Sequence, residues 1–149
     1  ARQAVQYSYE ILKEGGFLYC NDYIGASRFQ RTDMEMAIVN GIRLYLPDEV
    51  FIKPGGGRYE RFYVGPTIEQ MMNIDPSEAA DSENIIPAVK EHFVNPDIRY
   101  AGGLIYLVCM EDIIHNISDG DPLLDYLLEL DDQTIKFGLS QYAVILAKK

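Results

Sequence analysis

Hydrophobic residues recur at helical spacing at the start of the chain and again after residue 32. Ala4, Tyr7 and Ile11, together with Val5 and Leu12, lie along one side of a predicted first helix, which the glycines of KEGG end. The sequence TDME at 32–35 is a capping box, and it predicts the start of a second helix that ends at Pro47. The apolar side of this second helix is predicted to contain Met34, Ile38, Gly41, Ile42 and Tyr45.

Three further helices are predicted in the second half of the chain. DPSE at 75–78 places Pro76 at a first helical position, and the segment that follows carries Ile85, Ile86, Val89 and Phe93 on one side, with Pro87 in the first turn. LIYLVCMEDIIHNI is apolar almost all round, which predicts a helix packed on more than one side. DGDP caps the last helix, whose buried stripe is predicted to contain Leu123, Leu124, Leu127, Leu128 and Ile135.

Short apolar runs predict strands near 17–22, 97–101 and 141–147. FLYC at 17–20 has no polar alternation and indicates a strand inside the sheet with both faces covered. QYAVILAKK is apolar on both faces and indicates a central strand. The predicted fold class is therefore α/β. Two strands that lie inside a sheet each need a neighbour on both sides, and about three strands are too few to supply these neighbours. We expect an incomplete sheet that an upstream segment, another polypeptide or a second copy completes.

Residues 47–75 interrupt this pattern without separating the chain into domains, so 1–149 is expected to form part of a single domain. KPGGGRYERFYVGP places three glycines between prolines beside Tyr59, Arg61 and Tyr63. The segment predicts an insert that closes over a substrate as a lid with glycine hinges, its aromatic and basic side chains contacting the substrate. The alternative is a surface loop that its aromatic side chains anchor.

Composition and charge exclude several functions. The net charge of −10 repels phosphate backbones and anionic lipid headgroups, so neither nucleic acid nor membrane is an expected partner. Cys20 and Cys109 lie in apolar runs, which indicates reduced thiols and a cytoplasmic protein. The run AGGLIYLVCM is about half as long as a bilayer span, and the amino-terminal sequence does not resemble a secretion signal.

The strongest candidate for chemistry is NDYIGASRFQ at 21–30, directly after the first strand. Ligands of open α/β sheets bind beyond the carboxyl ends of the strands, so Asn21, Asp22 and Tyr23 are predicted to contact a substrate, with Asp22 as proton acceptor. Asn21 and Asp22 alternatively satisfy turn backbone groups. Arg28 either recognises a substrate carboxylate or phosphate, or pairs with an acidic side chain. Glu111, Asp112 and His115 have helical spacing but lack a further ligand, so no metal site is expected.

The run ILKEGGFLYCNDYIGASRFQ resembles class I S-adenosylmethionine-dependent methyltransferases, in which a helix ends in a glycine turn before the fifth strand. The likeness continues through DPSEAADSENIIPAVKEHF and YAGGLIYLVCMEDIIHNI to the closing strand. It implies the carboxy-terminal half of a Rossmann-like seven-stranded sheet, whose antiparallel last strand lies between the fifth and sixth. It also implies S-adenosylmethionine as cofactor and a small-molecule methyl acceptor.

This chain departs from the family pattern at the cofactor site. The family's glycine-rich loop and the acidic residue that holds the ribose have no counterpart here, and GGG at 55–57 neither follows a strand nor opens a helix. No residue of this chain is therefore assigned to the cofactor, and the chain alone is expected to be inactive. The alternative function is a non-enzymatic binding or assembly module that docks a partner through the open sheet edge and the leucine-rich helix at 123–130.

Overall fold

The computed structural model describes residues 1–149 and combines helices with a small, open, three-stranded antiparallel sheet. Contacts between Cα atoms divide the chain into two compact units. The sheet unit contains residues 1–30, 66–101 and 140–149, and the helical unit contains residues 31–65 and 102–139.

The sheet unit holds most of the regular elements. Its helices and strands, in chain order, are α1 (Arg2–Ile11), β1 (Phe17–Tyr23), α3 (Ile68–Ile74), α4 (Ile85–His92), β2 (Asp97–Ala101) and β3 (Tyr142–Lys148). The helical unit contains α2 (Asp33–Tyr45), α5 (Pro122–Lys136) and the irregular helical segment between them in space at 104–116. None of the helices is long and apolar enough to cross a lipid bilayer.

The three predicted strands are confirmed, as is the central position of the last one. The strand order is β1–β3–β2, and β3 is antiparallel to both neighbours. The prediction that β1 lies inside the sheet with both faces covered is wrong for this chain, because β1 pairs with β3 alone. Phe17 and Tyr19 on one face of β1 are 56% and 65% exposed.

One face of the sheet is covered by α1 and α4. Ala143, Ile145 and Ala147 of β3 are buried there against a cluster that includes Val5, Val89 and Phe93. The prediction for α1 holds in part: Val5 and Leu12 pack inwards as predicted, but Tyr9 joins them while Tyr7 and Ile11 are exposed. The stripe that is buried also has helical spacing. It includes Tyr9, whose ring meets the ring of Phe93 edge-to-face, with the ring centroids 5.1 Å apart.

The segment before α4 does not form the helix that DPSE predicts. The Asp75 carboxylate accepts hydrogen bonds from the backbone N–H and the hydroxyl of Ser77, which stabilises a turn in place of a helical start. The helix begins at Ile85 and has Pro87 in its first turn, as predicted.

The predicted insert at 47–75 is divided between the two units. Its last part contains α3, which the sequence analysis missed although TIEQ at 67–70 is a capping box. Its first part contains an exposed turn at Gly55–Gly57, closed by a hydrogen bond from the Lys53 N–H to the Gly57 carbonyl. All three glycines have positive φ, which a residue with a side chain adopts only at a cost.

The prediction for α2 also holds only in part, because Ile38 and Ile42 pack against the core but the rest of the predicted apolar side does not. Glu35, Val39 and Arg43 are buried, whereas Met34 and Tyr45 are 59% and 86% exposed. Glu35 is held in the capping box with Thr32, as predicted. The burial of Arg43 is possible because all three of its nitrogens donate to carbonyl or carboxylate oxygens.

The apolar segment after β2 is not one regular helix. It forms a π-helix at Ile105–Cys109, in which the Met110 N–H donates to the carbonyl of Ile105, and later a short 3-10 turn at Ile114–Asn116. Its start is capped by Asp131 of α5, whose carboxylate accepts the N–H groups of Gly103 and Tyr106. In α5 itself Leu127 is fully buried, but Leu128 of the predicted stripe is 43% exposed.

Candidate functional site

A groove of about 690 Å³ lies along β1 in the sheet unit. Six consecutive residues of β1, from 18 to 23, line the groove together with α1, the segment 77–82 and the start of α4. Successive side chains of a strand point to opposite faces, so a groove that six consecutive residues line follows the edge of the strand. This is the edge of β1 that has no strand partner.

Asp22 and Asn21 lie at the carboxyl end of β1 and line the groove, as the sequence predicts for substrate contacts. One carboxylate oxygen of Asp22 accepts the N–H of Tyr23 at 2.8 Å, which is the turn-stabilising role considered above. Its second oxygen remains open to a ligand. The side chains of Asn21 and Asp22 are exposed, so neither is committed to the core.

Tyr23 is the buried anchor of the turn that follows. Its side chain is 7% exposed, and its hydroxyl donates to the carbonyl of Ala26 at 3.1 Å. Its ring packs against Phe29 and Tyr142. A side chain at Gly25 would place its Cβ 2.5 Å from the Tyr23 hydroxyl, so this turn requires glycine.

Arg28 joins the same turn to the segment 75–82. Its guanidinium donates to the carbonyls of Asp75 and Glu78 at 3.5 and 3.1 Å, and its backbone N–H donates to the carbonyl of Ala79 at 2.7 Å. The guanidinium therefore binds backbone carbonyls and does not line the groove. Arg28, Phe29 and Ala79 all have positive φ, and strained backbone of this kind is concentrated at functional sites.

The groove is acidic. Asp22, Glu78 and Asp81 contribute carboxylates, and no lysine or arginine side chain lines it. The amino-terminal ammonium of Ala1 also lines the groove and pairs with the carboxylate of Asp81, so two of the three carboxylates have no cationic partner there. Burial, and secondarily the charge of Asp22, raises the pKa of the Cys20 thiol, which keeps this groove residue in its neutral form. Cys20 is therefore a poor nucleophile, and the electrostatic field of the groove favours neutral or cationic ligands over anionic ones.

The other three predicted substrate contacts belong to the helical unit and have structural partners there. Arg61 donates to the carbonyls of Arg43 and Leu46 at 2.9 and 2.8 Å and pairs with the carboxylate of Asp48. The backbone of Tyr63 exchanges two hydrogen bonds with the side chain of Asn40.

Tyr59 is likewise held in the helical unit. Its N–H donates to the carbonyl of Phe51 at 2.8 Å, its ring meets His115 edge-on, and Lys53 lies over it. These contacts correspond to the anchored-loop alternative for the insert. The seven predicted site residues are thus distributed over two units, four in the sheet unit and three in the helical unit.

No cluster of metal ligands is present. The chain contains no group of three or more His, Cys, Asp or Glu side chains placed to hold a metal ion. Burial, with a smaller contribution from Asp112, raises the pKa of Glu111. Asp112 itself is bound by Arg43, so the acidic pair at 111–112 is part of the packing of the helical unit.

The segment 77–82 contributes four polar residues to the groove that the sequence does not predict as site residues: Ser77, Glu78, Asp81 and Ser82. The hydroxyl of Ser82 donates to the carbonyl of Gly25 at 2.8 Å, which ties this segment to the turn after β1. The signal for these residues is the polar run DPSEAADSEN, from which the sequence predicts only a helix start.

Comparison with known proteins identifies no relative, because no protein-family profile, curated protein or solved structure matches the chain.

Proposed function

We propose that this chain is the substrate-side half of an S-adenosylmethionine-dependent methyltransferase that acts on a small molecule. The observation that carries the proposal is the antiparallel β3 between β1 and β2, combined with polar residues at the carboxyl end of β1. This strand arrangement is the one that the family resemblance implies. The acidic groove and the strained turn beside it support a ligand site at the same place.

Asp22 is the proposed base. When bound, S-adenosylmethionine would supply an activated methyl group to a lone pair of the acceptor, with the cofactor's thioether as the leaving group. The acceptor's proton passes to the open carboxylate oxygen of Asp22. The cofactor is already activated, so the protein mainly aligns the two reactants and excludes water. Asn21 is the proposed hydrogen-bonding partner of the acceptor, and Tyr23 fixes the turn that carries both.

The charge of the groove restricts the chemical class of the methyl acceptor. The carboxylates of Asp22 and Glu78, which have no cationic partner in the groove, favour an amine or an uncharged hydroxyl compound over a carboxylate or phosphate ester. The cofactor is proposed to bind mainly to residues outside this chain. The glycine turn at 55–57 does not supply such a site, since it is an exposed turn without a preceding strand or a following helix.

Calorimetric titration of the full-length protein with S-adenosylmethionine tests the proposal. We expect saturable binding, and an Asp22→Asn variant with unchanged cofactor affinity, because this residue is assigned to the acceptor. Absence of saturable binding contradicts the proposal.

A second candidate is a non-enzymatic module that docks a partner through the free edge of β1, and the observation that favours it is the unpaired edge itself. The leucine-rich helix does not strengthen this candidate, because Leu123, Leu124 and Leu127 pack into the core of the helical unit. A full-length protein that is folded but does not bind S-adenosylmethionine favours the module.

A further inference from the structure

Arg28 makes its hydrogen bonds to the side of the groove that lies across from β1. We define the opposite wall as residues 75–82, of which 77–82 line the groove. The Arg28 guanidinium donates to the carbonyls of Asp75 and Glu78, and the Arg28 backbone N–H donates to the carbonyl of Ala79. All three acceptors are backbone groups, so Arg28 fixes the path of the chain in this wall and not the conformation of a single side chain.

The opposite wall contains no helix or strand between the end of α3 and residue 82. At the far end of the wall, the Ser82 hydroxyl donates to the carbonyl of Gly25. In the middle of the wall, the carbonyls of Glu78 and Ala79 accept their hydrogen bonds from Arg28. A segment without the hydrogen bonds of a helix or a sheet opens locally with little free energy. The position of the middle of the wall therefore depends on Arg28.

The turn that carries Arg28 is itself held by several contacts. Arg28 and Ala79, which the backbone hydrogen bond joins, have φ angles of 56° and 46°. Residues with a side chain adopt such angles at a cost, and they keep them only where the surrounding contacts enforce them. The side-chain amide of Gln30 donates to the carbonyls of Arg28 and Pro66 at 2.8 and 2.9 Å. The turn is thus a fixed support for the wall.

The two sides of the groove carry different parts of the proposed site. Asp22 lies on β1, which its pairing with β3 holds in place without any contribution from Arg28. Glu78 lies on the opposite wall, where its exposed side chain lines the groove. A change at Arg28 should therefore displace Glu78 and leave Asp22 in its present position.

We propose that Arg28 is a positioning residue for the methyl acceptor. It holds the opposite wall at the distance from β1 at which Glu78 contacts the acceptor while Asp22 accepts the acceptor's proton. The effect on the reaction rests on the proposed methyltransferase function, whereas the hold of Arg28 on the wall does not. Because the base lies on β1 and not on the wall, loss of Arg28 weakens acceptor binding more than it slows the chemical step.

Steady-state kinetics of the full-length protein tests the positioning role. The acceptor is the compound that the wild type methylates fastest in a panel of small primary amines and alcohols. Arg28→Met is expected to raise KM for this acceptor at least about tenfold and to change kcat by less than about threefold. Asp22→Asn should show the opposite pattern, with a lower kcat and a smaller change in KM.

Two further variants separate positioning from a general loss of structure. Arg28→Lys retains a cation that can donate to the same carbonyls, and it is expected to recover part of the acceptor affinity. Arg99→Met removes an exposed arginine of the same unit, whose partner Asp97 lies outside the groove, and should leave both constants unchanged. An unchanged KM in Arg28→Met, or equal losses in Arg28→Met and Arg28→Lys, overturns the proposal.

Amide hydrogen exchange measured by NMR tests the hold of Arg28 on the wall without any ligand. The amide of residue 28 is the reporter, because it donates to the Ala79 carbonyl at 2.7 Å. Its protection is expected to fall at least about tenfold in Arg28→Met. The Ile24 amide, which donates to the carbonyl of Gln141 at 2.8 Å, is the internal control and should keep its protection.

The exchange experiment also distinguishes the two ways in which the inference can fail. Unchanged protection of residue 28 in Arg28→Met overturns the hold on the wall, even where the wild type methylates an acceptor. Reduced protection in a protein whose wild type methylates nothing contradicts the proposed function, and the acceptor-positioning role with it, while the hold on the wall stands.

Discussion

The two units use their charged and polar side chains differently. In the helical unit, Arg43 and Arg61 lie within 5.0 and 4.6 Å of the Phe51 ring centre and donate to backbone carbonyls and carboxylates of the same unit. In the sheet unit, Asn21 and Asp22 are exposed beside a groove. Polar side chains of the first kind stabilise the fold, whereas those of the second kind remain available to a ligand.

This difference explains why residue type alone is a weak guide to function here. Tyr59, Arg61 and Tyr63 were predicted as substrate contacts because aromatic and basic residues between glycines suggest a lid. The structure gives each of them partners that fasten the segment to α2 or to the core. The residues that keep free polar groups are those at the end of a strand, where the chain leaves the core.

Among the variants that test this difference between the two units, Arg43→Met is expected to have the largest effect on stability. The substitution leaves the Asp112 carboxylate and the carbonyls of Glu60, Arg61 and Cys109 without their donor. We expect the free energy of unfolding to fall by about 3 kcal/mol, because a buried guanidinium and its hydrogen bonds to three backbone carbonyls and a partly exposed carboxylate are lost together. Urea denaturation measures this loss. Arg2→Met, which removes an exposed pair with Glu91, is the control and should change stability by less than about 0.5 kcal/mol.

Glycine substitutions at two positions of the helical unit should have opposite effects. A Cβ at Gly103 would lie 2.2 Å from the Thr134 hydroxyl and 2.6 Å from the Asp131 carbonyl, so Gly103→Ala is expected to cost about 2 kcal/mol. Gly41→Ala meets no atom within 4 Å and should stabilise α2 by about 0.5–1 kcal/mol. Thermal denaturation of monomeric samples compares the two variants. Equal destabilisation by both would show that the tight packing around Gly103 is not as described.

The buried thiol of the helical unit should make stability depend on alkaline pH. Burial raises the pKa of Cys109 from its ordinary value of 9.0 to about 12. Between these values the unfolded thiol loses its proton while the folded thiol keeps it, so stability is fully present below pH 9 and falls as pH rises. At pH 10 the loss is about 1.4 kcal/mol.

The control for the alkaline effect is Cys109→Ala, which has no thiol to titrate. Its free energy of unfolding should therefore fall less steeply than that of the wild type between pH 9 and 11. If the free energies of unfolding of the two proteins fall equally steeply with pH, burial does not raise the pKa of Cys109.

The smallest stability effect is expected in the sheet unit. Asp22→Asn retains an oxygen that can accept the Tyr23 N–H, and the side chain is exposed. We expect a change in unfolding free energy within about 0.5 kcal/mol. Urea denaturation of Asp22→Asn and Arg43→Met under the same conditions compares the two units directly. A loss as large as that of Arg43→Met would show that Asp22 is a structural residue.

Much of the sheet was predictable from local sequence. The run QYAVILAKK is apolar on both faces, and this identified β3 as the central strand, because a central strand is the one flanked on both sides. The edge position of β1 was not predictable in this way, since FLYC has the composition of an interior strand. β1 is exposed because this chain contains only one strand that pairs with it. The composition of a strand does not show how many neighbouring strands the chain contains.

Helix orientation and the groove were harder to predict. In α1 and α2 two apolar stripes compete, and the choice between them depends on distant partners such as Phe93 for Tyr9 and Asp112 for Arg43. The carboxyl end of β1 was predictable because chain polarity defines it. The segment 77–82 on the other side of the groove was not, because only the folded chain brings it beside the strand.

Methyl transfer itself tests the account most directly. Full-length wild-type protein and Asp22→Asn are incubated with methyl-labelled S-adenosylmethionine and a panel of small amines, alcohols and carboxylates. The account predicts labelled product from an amine or alcohol with the wild type, and a rate lower by about 100-fold or more with Asp22→Asn, as expected for loss of a general base. Failure of the wild type to label any compound, or equal rates for both proteins, would contradict it.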